Sequence, residues 1–352
     1  MKHVKKLAAV ASLVTLVLAA GVSTHAQGTK KFTIGVSNGF IGSEWRTQML
    51  DGMKAVNAEY MKQGLTNELV IQSADVDVQG QIAQIRNLIN AKVNGIIIDP
   101  NSPTALNPVI KEAQDAGIMV VVVDQEVTAQ GAVNVAIDQE EWGRRGAQWI
   151  ADTLKGKGSI VIMNGVAGHP ANEGRVRGQK SVLAKYPGIK VLNAVNGDWD
   201  QSKAQQTMSS VLASQPNIDG VLSQDGMAEG TLRAILATNP KAVPVMNGEA
   251  IAGYLRLWQA TKKKFPAWQS HAVVNPPGVG PSGLRILVGM LQGKKLRDGA
   301  LTGPSKNTLY YPIPGNVVDG QVNGLVARFS AKTNSYVVDS QFSQAQASSY
   351  FK

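Results

Sequence analysis

The amino-acid sequence predicts an α/β protein of two lobes, each built on a doubly wound parallel sheet. Short β-branched runs alternate with amphipathic helical patterns, and this alternation begins again near the middle of the chain. Strands that helices cover on both faces read as near-continuous apolar runs, which is typical of parallel sheets. The length of 352 residues suits two domains and one additional short segment.

Strand-like runs of the predicted first lobe recur at regular spacing. In order they are "FTIGV" (32–36), "ELVIQSA" (68–74), "GIIIDP" (95–100), "IMVVVVD" (118–124) and "VNVAID" (133–138). Helical patterns such as "QIAQIRNLINAK" separate the first four runs, with apolar residues at helical spacing. Repeated strand–helix–strand units of this kind favour a parallel sheet.

The predicted second lobe repeats the same alternation. Its strand-like runs are "GSIVIMNG" (158–165), "IKVLNAVNG" (189–197), "GVLSQDG" (220–226) and "AVPVMNG" (242–248). The strand "SHAVVN" and the helix "SGLRILVGMLQGK" follow once this unit is complete, so we expect the chain to return to the first lobe there. The tail after Pro314 alternates apolar and polar residues, which suggests further strands of the second lobe. The predicted boundaries are 29–137 plus 276–305 for the first lobe and 138–275 plus 306–352 for the second.

The N-terminus, residues 1–26, is predicted to be a cleaved secretory signal peptide and is excluded from the fold. Three lysines precede an uncharged apolar run over residues 7–20, and "THA" offers small residues for cleavage. The run is shorter than the roughly 20 residues that span a bilayer. The sequence contains no cysteine, which excludes disulfides and an anchor on an N-terminal cysteine. We therefore expect an exported protein of a bacterial periplasm.

Composition and motifs argue against other classes of function. The formal charge is +10, but the basic residues are mostly scattered and form no stripe, so we expect no nucleic-acid partner. The sequence "GVGPSG" (278–283) spells a dinucleotide-binding pattern, but two prolines precede it and it falls late in the chain. Beyond the signal segment the only histidines are His169 and His271, and no nucleophile motif is present. We expect no enzyme activity, no cofactor and no metal.

Polar residues recur at one place in the pattern, where each predicted strand ends. They are Asn38, Asp99, Asp124, Asp138, Asn164, Asp198, Asp225, Asn247 and Asn275. In open parallel sheets, ligands bind in the crevice beyond the carboxyl ends of the strands. Two such edges that face each other would form a cleft between the lobes.

The residues resemble a known family, the type I periplasmic sugar-binding proteins. The similarity covers nearly the whole mature chain, through "GSEWR", "VNGIIIDP", "MVVVVDQ", "NGVAGHPANEGRVRG", "NGDWDQSKA", "VLSQDGMAEGTLRAI", "VPVMNGE" and "AVVNPPGVG". The resemblance implies two lobes joined by three hinge crossovers that close on a sugar. It further implies a monomer that delivers a monosaccharide or small polyol to an inner-membrane ABC permease. Presentation of the closed form to a chemoreceptor or sensor kinase is the alternative.

The resemblance also implies which side chains contact the ligand. They are Ser43, Trp45, Arg46, Asp99, Asp124, Gln125 and Asp138 in the first part of the chain, and Arg175, Trp199, Asp225, Asn247 and Asn275 in the second. Trp45 and Trp199 would stack on the C–H faces of a sugar ring, while charged groups would bind its hydroxyls. On this interpretation, Trp45→Ala and Arg46→Ala weaken binding and leave the stability of the empty protein nearly unchanged.

Some interpretations stay open at this stage. A strand-end aspartate is often only a helix N-cap, which is the alternative for Asp99 and Asp138. Gln125 and Asn247 stand where ribose-binding members have arginine and aspartate, so the identity of the sugar is open. A lac-repressor-type regulator has the same two-lobed fold, but it would need a DNA-binding helix-turn-helix where the signal peptide lies.

Overall fold

The computed structural model describes residues 31–41, 43–215 and 217–352. The predicted signal peptide lies outside these residues. The strands are β1 (Ile34–Asn38), β2 (Val70–Ser73), β3 (Gly95–Asp99), β4 (Met119–Asp124), β5 (Val133–Ala136), β6 (Lys157–Asn164), β7 (Gly188–Asn196), β8 (Gly220–Ser223), β9 (Val245–Glu249), β10 (Ser270–Val273), β11 (Thr308–Tyr310) and β12 (Asn316–Val318). The helices are α1 (Glu44–Lys62), α2 (Val78–Asn90), α3 (Asn107–Asp115), α4 (Gln139–Thr153), α5 (Pro170–Leu183), α6 (Gln201–Ser214), α7 (Ala228–Ala237), α8 (Ala252–Lys264), α9 (Val279–Leu291), α10 (Asp319–Arg328) and α11 (Gln344–Ser348).

Two six-stranded sheets organise the described chain, one in each lobe. The first has the strand order β11-β5-β4-β3-β1-β2 and is parallel throughout. The second has the order β12-β10-β9-β8-β6-β7 and is parallel except at its edge, where β12 runs antiparallel to β10. The predicted fold of two α/β lobes with parallel sheets is confirmed.

The apolar runs of the sequence form the central strands because helices cover both of their faces. Every residue of β3, "GIIID", is buried, and so are five of the six residues of β4. Ile97 on β3 packs in the core with α1 and α9, whereas its neighbours Ile96 and Ile98 pack in the core with α2 and α3. Alternate residues of one strand therefore serve two cores, as the near-continuous apolar pattern requires.

The C-terminal region departs from the predicted lobe boundaries. The sequence pattern predicts residues 306–352 in the second lobe, but β11 pairs with β5 in the first sheet and Phe342 lies in the first lobe's core. Of the strands and helices in this region, β12 and α10 join the second lobe, against β10 and α8. The aromatic end of the tail returns to the first lobe because Phe351 packs against the bare backbone of Gly289 on α9.

The hinge therefore has four crossings where three were expected. The described chain passes between the lobes at 137–138, 274–278, 311–315 and again at 338–342. Each of the first two lies just beyond the end of the strand next to a sheet edge, β5 or β10. This places Asn275 directly beside the strand ends that form the cleft.

Candidate functional site

A cavity of about 360 Å³ lies between the two lobes at the carboxyl ends of their strands. First-lobe residues in its wall include Phe40, Ser43, Trp45, Arg46 and Asp124, and second-lobe residues include His169, Arg175, Trp199, Asp225 and Glu249. Asn275 of the second crossing and Asn334, Ser335 and Val337 near the fourth complete the wall. Both lobes thus contribute polar and aromatic groups to one shared cavity.

The N-terminus of α1 positions the first-lobe side chains. Ser43 is the N-cap residue, which places Trp45 and Arg46 in the first turn of the helix. The Trp45 indole Nε1 donates to the backbone oxygen of Asn275 at 2.8 Å, so the ring is fixed against the second crossing. The helix start and the hinge therefore hold this aromatic plane together.

Arg46 is buried among carboxylates. Its side chain contacts Asp99, lies 3.6 Å from Asp124 Oδ2, and donates to Asn38 Oδ1 at 3.2 Å. Only 5% of the residue is exposed. Burial lowers the pKa of Arg46, while the negative charges of Asp124 and Asp225 oppose this shift. The guanidinium is thus part of the framework as well as the cavity wall, unlike the freely replaceable side chain expected from the sequence.

Asp99 lies behind Arg46 and does not reach the cavity. It is 1% exposed, and its contact with Arg46 is a buried ion pair. It is not a helix cap, since Leu106 occupies the N-cap position of α3. The geometry makes Asp99 a counter-ion that orients Arg46, which differs from the ligand contact that the resemblance implies.

Asp124 is the last residue of β4, and Gln125 follows it in the cleft between the lobes. Asp124 has a left-handed backbone, with φ of 67°, which turns the chain sharply out of the sheet. Burial raises the pKa of the Asp124 carboxyl, and the arginines at 46 and 175 act in the opposite direction. Gln125 does not line this cavity; its Nε2 lies 2.9 Å from Nε2 of His169, a contact that joins the lobes.

Arg175 is the central cation of the second lobe. It lies on α5 with no exposed surface, contacts the Asp225 carboxylate and donates to Gln139 Oε1 at 2.8 Å. Its guanidinium carbon lies 4.3 Å from the centre of the Trp142 ring, a cation–π arrangement. These contacts from three sides leave Arg175 one orientation, in which it faces the cavity.

Trp199 forms the second aromatic wall. Its backbone is left-handed, with φ of 59°, and its ring lies so close to Gly165 that a Cβ there would be 2.1 Å from it. His169 meets the ring edge-on at 4.7 Å. Burial, with the arginines at 46 and 175, lowers the pKa of His169 to about 3, so its imidazole is neutral near pH 7.

Glu249 is a buried carboxylate of this site that the sequence did not identify. It ends β9, is 1% exposed and lines the cavity. Burial is the main cause that raises the pKa of Glu249 well above its ordinary value, and the negative charge of Asp225 adds to it. Asn247, predicted in its place, lies two residues earlier on β9 and binds His271 Nδ1 at 2.6 Å, away from the cavity.

Asp138 also lies away from the cavity. Its carboxylate accepts from the backbone N–H of Glu141 at 2.8 Å and caps the N-terminus of α4. The alternative interpretation of this strand-end aspartate as an N-cap therefore fits the structure. Asp138 and Gln125 instead line a second cavity of about 520 Å³ that also contacts Asp124.

Three buried polar atoms in the cavity wall have no hydrogen-bond partner within the described chain. They are Trp199 Nε1, Glu249 Oε1 and Asn275 Oδ1. Buried polar groups in folded proteins are nearly always paired, so unpaired ones need a ligand or water. The three atoms include a donor and two oxygens that can accept, which suits a solute with several hydroxyl groups.

The raised pKa of Glu249 predicts a pH effect on stability. Above about pH 4.5 the carboxyl is ionised in the unfolded state but still protonated in the folded state. The free energy of unfolding therefore falls as the pH rises above this value. Glutamine resembles the protonated form, so Glu249→Gln should make this fall shallower. Urea unfolding between pH 5 and 8 measures how the free energy of unfolding depends on pH. Glu68→Gln, at an exposed glutamate, is the control. An identical slope in wild type and Glu249→Gln would contradict the prediction.

The comparisons with known proteins define the class of protein. Residues 34–295 match the family model described as periplasmic binding protein domain, so the chain belongs to that family. A solved ABC transporter solute binding protein from Thermobispora bispora superimposes with a TM-score of 0.78 at 27% identity, covering 91% of this chain and 94% of that one. The predicted membership of the periplasmic binding protein family is confirmed.

Two curated relatives carry names of solutes. A xylitol-binding protein of Mycolicibacterium smegmatis is 37% identical over 187 residues, 52% of this chain and 54% of that protein. A D-ribose/D-allose-binding protein of Pseudomonas aeruginosa is 28% identical over 298 residues, 80% of this chain and 90% of that protein. The first match thus spans about half the length of the relative.

Across the described residues, each helix is too short or too polar to cross a bilayer.

Proposed function

We propose that the chain captures a neutral monosaccharide or small polyol between its lobes and delivers it to an ABC importer of the inner membrane. The observation that carries this is the cavity itself, in which two aromatic rings and three unpaired polar atoms from both lobes and the hinge meet. A sugar ring has an apolar C–H face and several hydroxyl groups, so its binding site needs aromatic planes and polar partners of this kind. The names of the xylitol- and ribose/allose-binding relatives support the same class of solute.

The charge of the cavity supports a neutral solute over an acidic one. Each of its arginines already has a carboxylate partner, Arg46 with Asp99 and Arg175 with Asp225. A sugar acid would have to compete with these internal pairs for its cation, and it would meet the carboxylate of Asp124 as well. A hydroxyl group can donate to the carboxylates without separating either pair.

Ligand contact is proposed for the residues that face the cavity. They are Ser43, Trp45, Arg46, Asp124, Arg175, Trp199, Asp225, Glu249 and Asn275. We propose no catalytic step for them and no cofactor. Export through the N-terminal segment, a monomeric state and a role for the permease as partner belong to the same proposal. The sensor alternative stays a prediction from the sequence.

A thermal-shift screen tests the proposed solute class. Xylitol, D-ribose and D-allose represent the neutral candidates, and D-glucuronate is the acidic control. A solute present at 100 times its dissociation constant should stabilise the folded protein by about 2.7 kcal/mol. We expect at least one neutral compound to raise the melting temperature. A response to the sugar acid together with none to the neutral compounds would contradict the proposal.

A further inference from the structure

The C-terminal segment 334–342 lies beside the cavity and outside the region that the family model matches, residues 34–295. It contains the fourth crossing between the lobes. Asn334, Ser335 and Val337 of this segment line the cavity. This part of the C-terminal tail therefore forms one wall of the solute site.

The segment is fixed to the second lobe at the start of α8. No side chain caps this helix, and its first backbone donors are instead satisfied by the segment. The N–H groups of Ala252 and Gly253 donate to the carbonyl oxygens of Tyr336 and Asn334, both at 2.8 Å. Ile251 forms an antiparallel bridge with Val337. The segment is thus attached to the second lobe close to Glu249 in the sequence of β9 and α8.

The same segment is also attached to the first lobe by the side chain of Gln48 on α1. Gln48 Nε2 donates to the Val337 carbonyl oxygen, and the Val337 N–H donates to Gln48 Oε1, both at 3.0 Å. The side-chain amide pairs with the backbone of Val337 much as a neighbouring strand would. Gln48 follows Trp45 and Arg46 on α1, so this contact lies close to the first-lobe wall of the cavity.

Further contacts hold the end of the segment at the hinge. Asp339 Oδ1 accepts from the N–H of Gly278, just before α9, at 2.7 Å. The N–H of Phe342 donates to Ser282 Oγ at 2.9 Å. The chain therefore binds both lobes within nine residues.

We propose that segment 334–342 and Gln48 form an interlobe clasp that keeps the cavity closed and sets how fast the solute leaves. This inference rests on the proposed function, because a dissociation rate requires a solute. Opening the cleft moves α1 away from α8. Val337 is bonded to Gln48 of α1, while its neighbours Tyr336 and Val338 are bonded to the second lobe at Ala252 and Ala250. The paired bonds of Gln48 must then be lost or strained, which makes opening slower than it would be without them.

The test compares Gln48→Leu with Gln206→Leu, a matched change at an exposed glutamine of α6. Leucine keeps the approximate volume and removes both bonds to Val337. Two hydrogen bonds of ordinary net strength correspond to about a tenfold to thirtyfold faster dissociation. Stopped-flow tryptophan fluorescence measures this rate with xylitol, D-ribose or D-allose, whichever stabilises wild type. The solute-free melting temperature of each variant is measured in parallel.

A second measurement needs no solute. The cysteine-free chain accepts spin labels through Lys111→Cys on α3 and Ser210→Cys on α6, one on each lobe. Pulsed electron paramagnetic resonance should show a broader or longer interlobe distance distribution in the Gln48→Leu background than in the Gln206→Leu background. If no compound stabilises wild type, the proposed function fails while this measurement still decides the clasp.

The outcomes separate a clasp from a merely structural contact. Faster dissociation with a changed distance distribution, at a melting temperature near that of Gln206→Leu, supports the clasp. A lower melting temperature with dissociation rate and distances equal to the control overturns it. Equality with the control in all three measurements overturns it too.

Discussion

Replacing Arg46 with methionine is expected to lower the free energy of unfolding of the solute-free protein by about 3–5 kcal/mol. The reason is Asp99, which is 1% exposed and would remain buried without its counter-ion. Asp124 would lose the same neighbour, 3.6 Å away. Urea unfolding measures the loss. This result differs from the unchanged stability that the sequence predicts for a side chain that only contacts ligand.

The control for this prediction is an arginine whose ion pair is exposed. Arg86 pairs with Glu112 at 2.7 Å on the surface, so Arg86→Met should change stability little. The double variant Arg46→Met/Asp99→Asn should recover part of the loss, because the buried charge is removed together with its partner. If Arg46→Met lowers the free energy of unfolding no more than Arg86→Met does, the buried ion pair does not stabilise the fold.

Arg175→Met is expected to weaken solute binding about hundredfold, which corresponds to about 2.7 kcal/mol. The guanidinium faces the cavity and holds the Asp225 carboxylate and Gln139 in position. Its loss removes a charged donor to the solute and leaves Asp225 without its cation. Isothermal titration calorimetry measures the affinity with the solute that stabilises wild type most.

Two further variants keep this prediction informative if Arg175→Met folds poorly. Asp225→Asn removes the charge of the partner at almost unchanged shape, and we expect it to weaken binding as well. Arg177→Met is the control on the same helix, since that side chain is 65% exposed and pairs with Glu140 at 3.5 Å. Affinities of all three variants equal to wild type would place the solute elsewhere.

The first-lobe part of the site could be predicted from the sequence because its signals are local. An apolar run, a short loop and a helix start place Trp45 and Arg46, and Asp124 directly ends an apolar strand. In a parallel sheet, these features determine at which edge of the sheet the side chains lie, as well as their order along the chain. The sequence could not show that Asp99 lies behind Arg46 while Asp124 reaches the cavity. Asp99 and Asp124 each end an apolar strand, so the local pattern is the same for both.

The error at β9 has a different physical cause. The segment "VMNGE" contains two polar residues of the same strand face, Asn247 and Glu249, and either could end a strand. Pairing with β10 extends β9 as far as Glu249, so the later residue reaches the cavity while Asn247 binds His271. Strand ends that depend on a distant partner strand cannot be derived from local pattern.

The tail shows the limit of the alternating pattern more fully. Its alternation of apolar and polar residues predicts strands, and β12 does join the second sheet. The helices α10 and α11 and the return of Phe342 to the first lobe depend on contacts with α8 and α9. These surfaces come from distant parts of the chain, so the clasp was not visible in the sequence.

The position of the bound solute in a crystal structure tests the central claim most directly. The crystal should be grown with the neutral compound that raises the melting temperature most. We predict density for one molecule between Trp45 and Trp199, with hydroxyl groups bonded to Asp124 from the first lobe and to Asp225 and Glu249 from the second. Density on one lobe only, or outside this cavity, would contradict the account.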